Sequence, residues 1–303
     1  MCEKCRVDTA HFPTFLADMD TFSTAMRPAD VALILFENGS VDDTTNILRD
    51  WTQTTRVDNL LIFERVDGTR TERLASCRNR LWEKARWLGA DAIVVMIDAD
   101  YSHRLNIPGL VRQVHGCRHT ACFSASKPYI YDQWALRDAR YEYTDVFRDG
   151  LLQYLTRWPL AVPNDLRIVT SAFNGLAVYN VRSNDDAFAK CAYAGTYTDE
   201  YPVCEHVPFH ECLVRFGASF VIDGSFESPH SGNLSQTIGI HYLIPALICI
   251  VSLVRKLSGV LFRTWVGHRR ISNNDMHDGD LTMSEKLPLR IFVADLEASR
   301  MIG

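Results

Sequence analysis

The chain lacks the marks of several protein classes. It has no excess of positive charge: 32 Lys and Arg stand against 37 Asp and Glu, a formal net charge of -5. Nucleic acid therefore finds no general attraction and is not expected as a partner. It has no long apolar run. Leu243 to Val254, inside IGIHYLIPALICIVSLV, falls well short of the roughly 20 residues that cross a bilayer. It has no internal repeat, no low-complexity tract and no charged-then-apolar leader. Cys2 and Cys5 form a C-x-x-C, but no second pair follows at zinc-site spacing.

What is present is ordinary for a globular protein: 303 residues, 47% hydrophobic and 23% charged. That length accommodates one large domain or two small ones and a sizeable core. The nine cysteines are odd in number and scattered, which reads as free thiols in a reducing compartment. Asn38-Gly39-Ser40 is a glycosylation sequon. A glycan there would block the candidate site described below, which adds to the cytoplasmic expectation.

The first 130 residues alternate two periodicities. Val31–Phe36, Asn59–Phe63, Ala92–Ile97 and Thr120–Ala125 read as strands. Val41–Trp51, Thr71–Leu88 and Ile107–Val114 have helical spacing. Near-continuous apolar strands separated by helices predict an α/β fold with a mostly parallel, Rossmann-like central sheet flanked by helices. Beyond residue 130 the chain is less regular. Residues 129–158, rich in Tyr, Trp, Arg and Asp, read as an excursion lining a site. Arg167–Thr170, Gly175–Tyr179 and Ser219–Ile222 read as strands, and 206–216 as a helix. The expected organisation is a nucleotide-binding half over 1–130, a smaller acceptor-side half of the same domain over 131–235 and a helical extension over 236–303. Within that extension, 238–262 is read as a buried or dimer-facing helix, with a helix lying in a membrane surface as the alternative.

Ligands of such sheets sit at the carboxyl ends of the strands, so the chemistry is sought there. Asp98-Ala99-Asp100 follows the strand AIVVMI. Two carboxylates at i and i+2 on a turn can converge on Mg²⁺ or Mn²⁺ and leave positions open for diphosphate oxygens. Glu37-Asn38-Gly39-Ser40-Val41-Asp42 follows the first strand. Glu37 and Asn38 offer edges for a base or ribose, Ser40 and Asp42 can cap the next helix, and these four, with Asp98 as an alternative ribose contact, are the candidate nucleotide-binding residues. Arg73 and Arg78 on the long helix are candidates for the diphosphate. His230 is a candidate third metal ligand. Tyr131 and Trp134 offer flat faces for a sugar, and Gly175 allows close approach of an acceptor.

These pieces, in this order, resemble the nucleotide-sugar glycosyltransferases of the GT-A superfamily. ENGSVDDTT is similar to their nucleotide-binding turn and MIDADY to their metal-binding D-x-D. RTERLASCRN, YDQWALRD, SAFNGLAVYN and CEHVPFH resemble one branch, which includes fungal capsule mannosyltransferase-like proteins and glycosyltransferases of large algal viruses. The resemblance covers about residues 30–225. It implies a GT-A fold, a UDP- or GDP-linked sugar donor, a divalent cation (Mn²⁺ or Mg²⁺), a glycan or glycoprotein acceptor and, for a viral member, the host cytoplasm. Many inverting relatives carry Glu-Asp on the acceptor-side helix; here Glu205 is followed by His206. Candidate bases are Glu205, then His206, then Asp165. A retaining enzyme with the same donor site, or a non-catalytic sugar-nucleotide-binding protein, are the alternatives.

Overall fold

The computed structural model describes residues 12–27, 31–87, 93–99, 103–127, 130, 132, 134–138, 166–198, 201–230 and 289–294. The chain divides into two compact units, and all of these residues belong to the one formed by Met1–Gly232, Leu287–Met301 and Gly303. The segment at 238–262, Cys2 and Cys5 lie outside the described residues. Among the described residues no helix is long and apolar enough to cross a membrane.

The helices are α1 (Phe12–Met26), α2 (Thr44–Thr54), α3 (Arg70–Trp87), α4 (Ile107–Gly116), α5 (Asp185–Lys190) and α6 (His206–Arg215). The strands are β1 (Val31–Glu37), β2 (Asp58–Phe63), β3 (Ile93–Asp98), β4 (Ala121–Ala125), β5 (Leu166–Val169), β6 (Leu176–Asn180), β7 (Thr196–Thr198), β8 (Tyr201–Val203), β9 (Phe220–Glu227) and β10 (Leu289–Ala294). Eight strands form one sheet in the order β2-β1-β10-β3-β6-β4-β9-β5, and β7 pairs with β8 apart from it. The fold is thus α/β with a mixed sheet. β2, β1, β10 and β3 run parallel; β6 is antiparallel to β3 and β4; β9 is parallel to β4; β5 is antiparallel to β9.

Side-chain alternation divides the apolar core between the two faces. Leu33 and Leu35 of β1, with Ile93, Val95 and Ile97 of β3, point to one face, which α1 and α4 cover with Phe15, Met19, Phe22, Leu110 and Val114. Ile34, Phe36, Val94 and Met96 point to the other, against Leu81 and Trp82 of α3, Phe188 of α5 and Phe209 and Leu213 of α6. In α1 the buried Phe12, Phe15, Leu16, Met19, Phe22 and Met26 recur at helical spacing. Local chemistry fixes the helix starts. Thr69 and Glu72 form a reciprocal capping box at α3. Asn106 accepts the Gly109 N–H at 3.0 Å to cap α4.

Residues before and after position 130 contribute to a single sheet, because β6 inserts between β3 and β4. Two expectations change. Residues 289–294, assigned to a helical extension, are a strand between β1 and β3; LRIFVA is a short apolar run rich in β-formers, and both neighbours run parallel to it. The cysteines are not all free thiols. Cys117 is bonded to Cys122 and Cys191 to Cys212, while Cys77 and Cys204 are buried thiols. Scattered spacing hid these pairs because tertiary structure brings the partners together: Cys191 ends α5 and Cys212 lies within α6.

The Cys191–Cys212 bond closes a separation of 21 residues, which by chain entropy stabilises the fold by about 3 kcal/mol. Replacing both by Ser is expected to lower unfolding stability by about that amount in denaturant titration. Reductant, which also opens the Cys117–Cys122 bond in both proteins, should bring the wild type and the double variant to a common level.

Candidate active site at the carboxyl edge of the sheet

The strand directions decide which loops meet. β1, β3, β4 and β9 end, and β6 begins, at the same edge. That edge collects the Glu37–Ser40 turn, Asp98, the turn at 132–135, Asn174-Gly175 and Ser228-Pro229-His230. Because β10 stands between β1 and β3, the Glu37–Ser40 turn and Asp98 are two strand spacings apart, roughly 10 Å.

Arg78 links this edge to the helices. It lies on the core-facing side of α3, with its side chain 3% exposed. Its Nη2 donates to Asp98 Oδ1 at 3.0 Å, and its Nη1 pairs with Glu205 Oε1. Its guanidinium also lies 5.0 Å from the centre of the Phe173 ring. Burial works against its charge, but Asp98 and the other polar neighbours outweigh this and hold its pKa above the ordinary value. Glu205 occupies the N-cap position of α6 without a side-chain capping bond. Its carboxylate serves Arg78 instead, and its side chain is 2% exposed.

The Asn174-Gly175 turn is the second organising element. Both residues have positive φ, +56° and +76°, a conformation that Asn and Gly adopt most readily. The Gly175 carbonyl accepts the Asp98 N–H at 2.9 Å. The Asn174 carboxamide accepts the Asp132 N–H at 3.0 Å and donates to the Ser124 carbonyl at 2.7 Å, and its carbonyl accepts the Ser228 hydroxyl at 2.6 Å. One turn therefore binds the ends of β3, β4 and β9 and the 132 loop.

The anticipated site residues divide as follows. Asp98, Arg78 and Glu205 are brought together. Asp100, Tyr131 and Asp165 lie outside the described residues. Glu37 and Asn38 are buried and turned inward: Glu37 accepts the Ser40 N–H, and Asn38 accepts the Val66 N–H at 2.7 Å. Asp42 accepts the Thr44 N–H at 3.0 Å and Arg73 donates to the Gly68 carbonyl at 2.9 Å. These four side chains bond their own loops, Asp42 at the start of α2 as expected of a cap. Trp134 is half-buried with the Arg70 guanidinium 5.6 Å from its ring centre. Gly175 faces the ring of His230, and a Cβ there would overlap it; its smallness admits an imidazole rather than an acceptor.

His206 is buried, stacks on Phe173 with ring centres 4.0 Å apart, and lies 3.8 Å from Glu205. Burial, with Arg78 and His210 adding to it, holds its pKa well below the ordinary value. His210, one turn on, bonds Ser171 Oγ at 2.9 Å and Tyr179 OH at 2.8 Å. Burial and then Arg78 push its pKa down to about 3. Both are neutral core histidines.

Sequence reasoning missed Asn174 and Asp132. An Asn-Gly pair preceding an apolar run is a signal for a positive-φ turn, and it was present in SAFNGLAVYN. Asp132 has no comparable mark. Among the described residues no group of three His, Cys, Asp or Glu side chains is placed to hold a metal ion. Asp98 and His230 alone do not make a cation site. No protein-family model, curated protein or solved structure matches the chain.

Two outcomes are expected. Gly175→Ala should lower the melting temperature, through its positive φ and the overlap with His230. His230→Ala should recover part of that loss in the double variant, a non-additive cycle. As for pH, folded His206 and His210 have pKa values below the roughly 6.5 of the unfolded chain. The unfolded state thus binds more protons below about pH 6.5. Stability is full above that pH and falls, by about 1.4 kcal/mol per pH unit per histidine, as pH drops toward 3. Unfolding midpoints of wild type and His210→Gln between pH 7 and 5 test this; the slope should be shallower in the variant.

Proposed function

We propose that this chain transfers a sugar from a UDP- or GDP-linked donor to a carbohydrate or glycoprotein hydroxyl, within a GT-A-like arrangement. The observation that carries this reading is Asp98, a carboxylate at the end of the central strand β3, held by a buried arginine where four other segments meet. Support comes from the order of the motifs along the chain and from the location, since α/β sheets bind ligands at the carboxyl ends of their strands. The Glu37–Ser40 turn and Asp98, about two strand spacings apart, can be bridged by one nucleotide.

In this reading Asp98, with Asp100, would hold Mn²⁺ or Mg²⁺, which when bound neutralises the leaving diphosphate. Arg78 fixes the Asp98 carboxylate from the core side through Nη2 and Glu205 holds the guanidinium through Nη1, which makes both positioning residues. The Asn174-Gly175 turn sets the height of Asp98 against the acceptor-side loops. Trp134 with Arg70 forms an aromatic and cationic surface suited to a sugar. Inversion requires a base at this edge. Glu205, tied to Arg78, does not supply it.

Calorimetric titration with a panel of UDP- and GDP-linked hexoses and Mn²⁺ tests the proposal. At least one donor should bind, and Asp98→Asn should weaken it tenfold or more, equivalent to about 1.4 kcal/mol. No binding by any donor, or equal binding by the variant, contradicts it.

A further inference from the structure

We propose that Asp132 is the base that removes the proton of the acceptor hydroxyl. This rests on the transferase reading and names a residue that the motifs alone do not single out. The Asn174-Gly175 turn is hydrogen-bonded on one side to the backbone of Asp98, through Gly175, and on the other to the backbone of Asp132, through Asn174. The backbones of Asp98 and Asp132 are therefore held by one turn, and in the proposed reaction they are the leaving-group residue and the acceptor-side residue on either side of the transferred sugar.

The half-buried Asp132 binds the Ala135 N–H through Oδ1 at 3.0 Å. That contact fixes the orientation of the carboxylate. Trp134 follows two residues on, with the Arg70 guanidinium over its ring. Burial makes the carboxylate harder to ionise, against the pull of Arg78, Arg70 and Arg137, and the balance raises its pKa. The same shift makes it a better proton acceptor than a surface aspartate. The candidates it displaces are placed differently: Glu205 pairs with Arg78 and His206 stacks inside the core.

The step balances within the site. The acceptor oxygen forms a bond to the anomeric carbon as its proton passes to the Asp132 carboxylate. The bond from that carbon to the phosphate oxygen breaks, and the nucleoside diphosphate leaves with the electron pair. Asp132 then returns its proton to water.

The test uses the full chain with Mn²⁺, a panel of UDP- and GDP-linked hexoses and a mixture of methyl glycosides as acceptors. Asp132→Asn keeps an oxygen for the Ala135 N–H and removes the basicity. It should lower kcat by roughly 10²- to 10⁴-fold, with donor affinity and melting temperature close to wild type, and Asp132→Glu should recover part of the rate. Wild-type turnover in Asp132→Asn overturns the inference and leaves the transferase reading standing. So does a rate loss matched by loss of donor affinity or melting temperature, which would make Asp132 structural. A wild type that neither binds nor turns over any donor overturns the transferase reading, and the inference falls with it.

Discussion

A buried arginine can persist in a protein core when its charge is balanced there, and the geometry around Arg78 follows from that constraint. Removing one partner from such a buried pair typically costs about 3–5 kcal/mol, because it leaves the other charge uncompensated. Arg78 therefore ties together three elements: α3, which carries it; β3, whose last residue is Asp98; and α6, whose first turn is preceded by Glu205. Phe173 and Tyr193 close over the guanidinium at 5.0 and 6.0 Å. Asn79, next to Arg78, holds the backbone of Tyr193 through two hydrogen bonds of 2.8 Å. The Cys191–Cys212 bond closes the loop that contains Tyr193 and Glu205. A disulfide, an amide and an ion pair thus converge on the orientation of one carboxylate at the sheet edge.

The edge itself is a consequence of strand direction. Had β6 run parallel to β3, its first residues would lie at the opposite end of the sheet, and Asn174 could not join the ends of β3, β4 and β9. The antiparallel insertion places a positive-φ turn where the parallel strands finish. On the other side of the sheet, Asp18 of α1 is buried. It accepts the Leu105 N–H at 2.8 Å and pairs with Arg104, so α1 anchors the chain a few residues beyond Asp98. The edge is held from both faces of the sheet.

Much of this was legible in the sequence, and the parts that were not share a cause. VALILF and AIVVMI announce strands buried on both faces, and Leu74, Cys77, Leu81 and Ala85 announce the buried side of α3, because each signal is local and periodic. Asp98 stood out because a carboxylate interrupts an apolar strand at its end. The antiparallel course of β6 was not legible, since LAVYN carries no mark of direction. Nor was the entry of residues 289–294 between β1 and β3, which depends on a partner more than 190 positions away. Glu37 and Asn38 have the chemistry of ligand-binding residues; whether such side chains face a ligand or their own turn depends on Gly39 and on the Val66 N–H across the loop. Glu205 was found by position, but its engagement depends on a residue of another helix.

Binding of a nucleotide sugar at the carboxyl edge of this sheet is tested most directly by hydrogen–deuterium exchange with and without UDP- and GDP-linked hexoses in the presence of Mn²⁺, which reports where a ligand lies without requiring an acceptor. Slowed exchange is expected in peptides covering the end of β3, residues 132–138, Asn174-Gly175 and 228–230. Protection confined to the groove along α3 that Glu72, Ser76, Asn79, Glu83 and Gly195 line, or no protection with any donor, would contradict it.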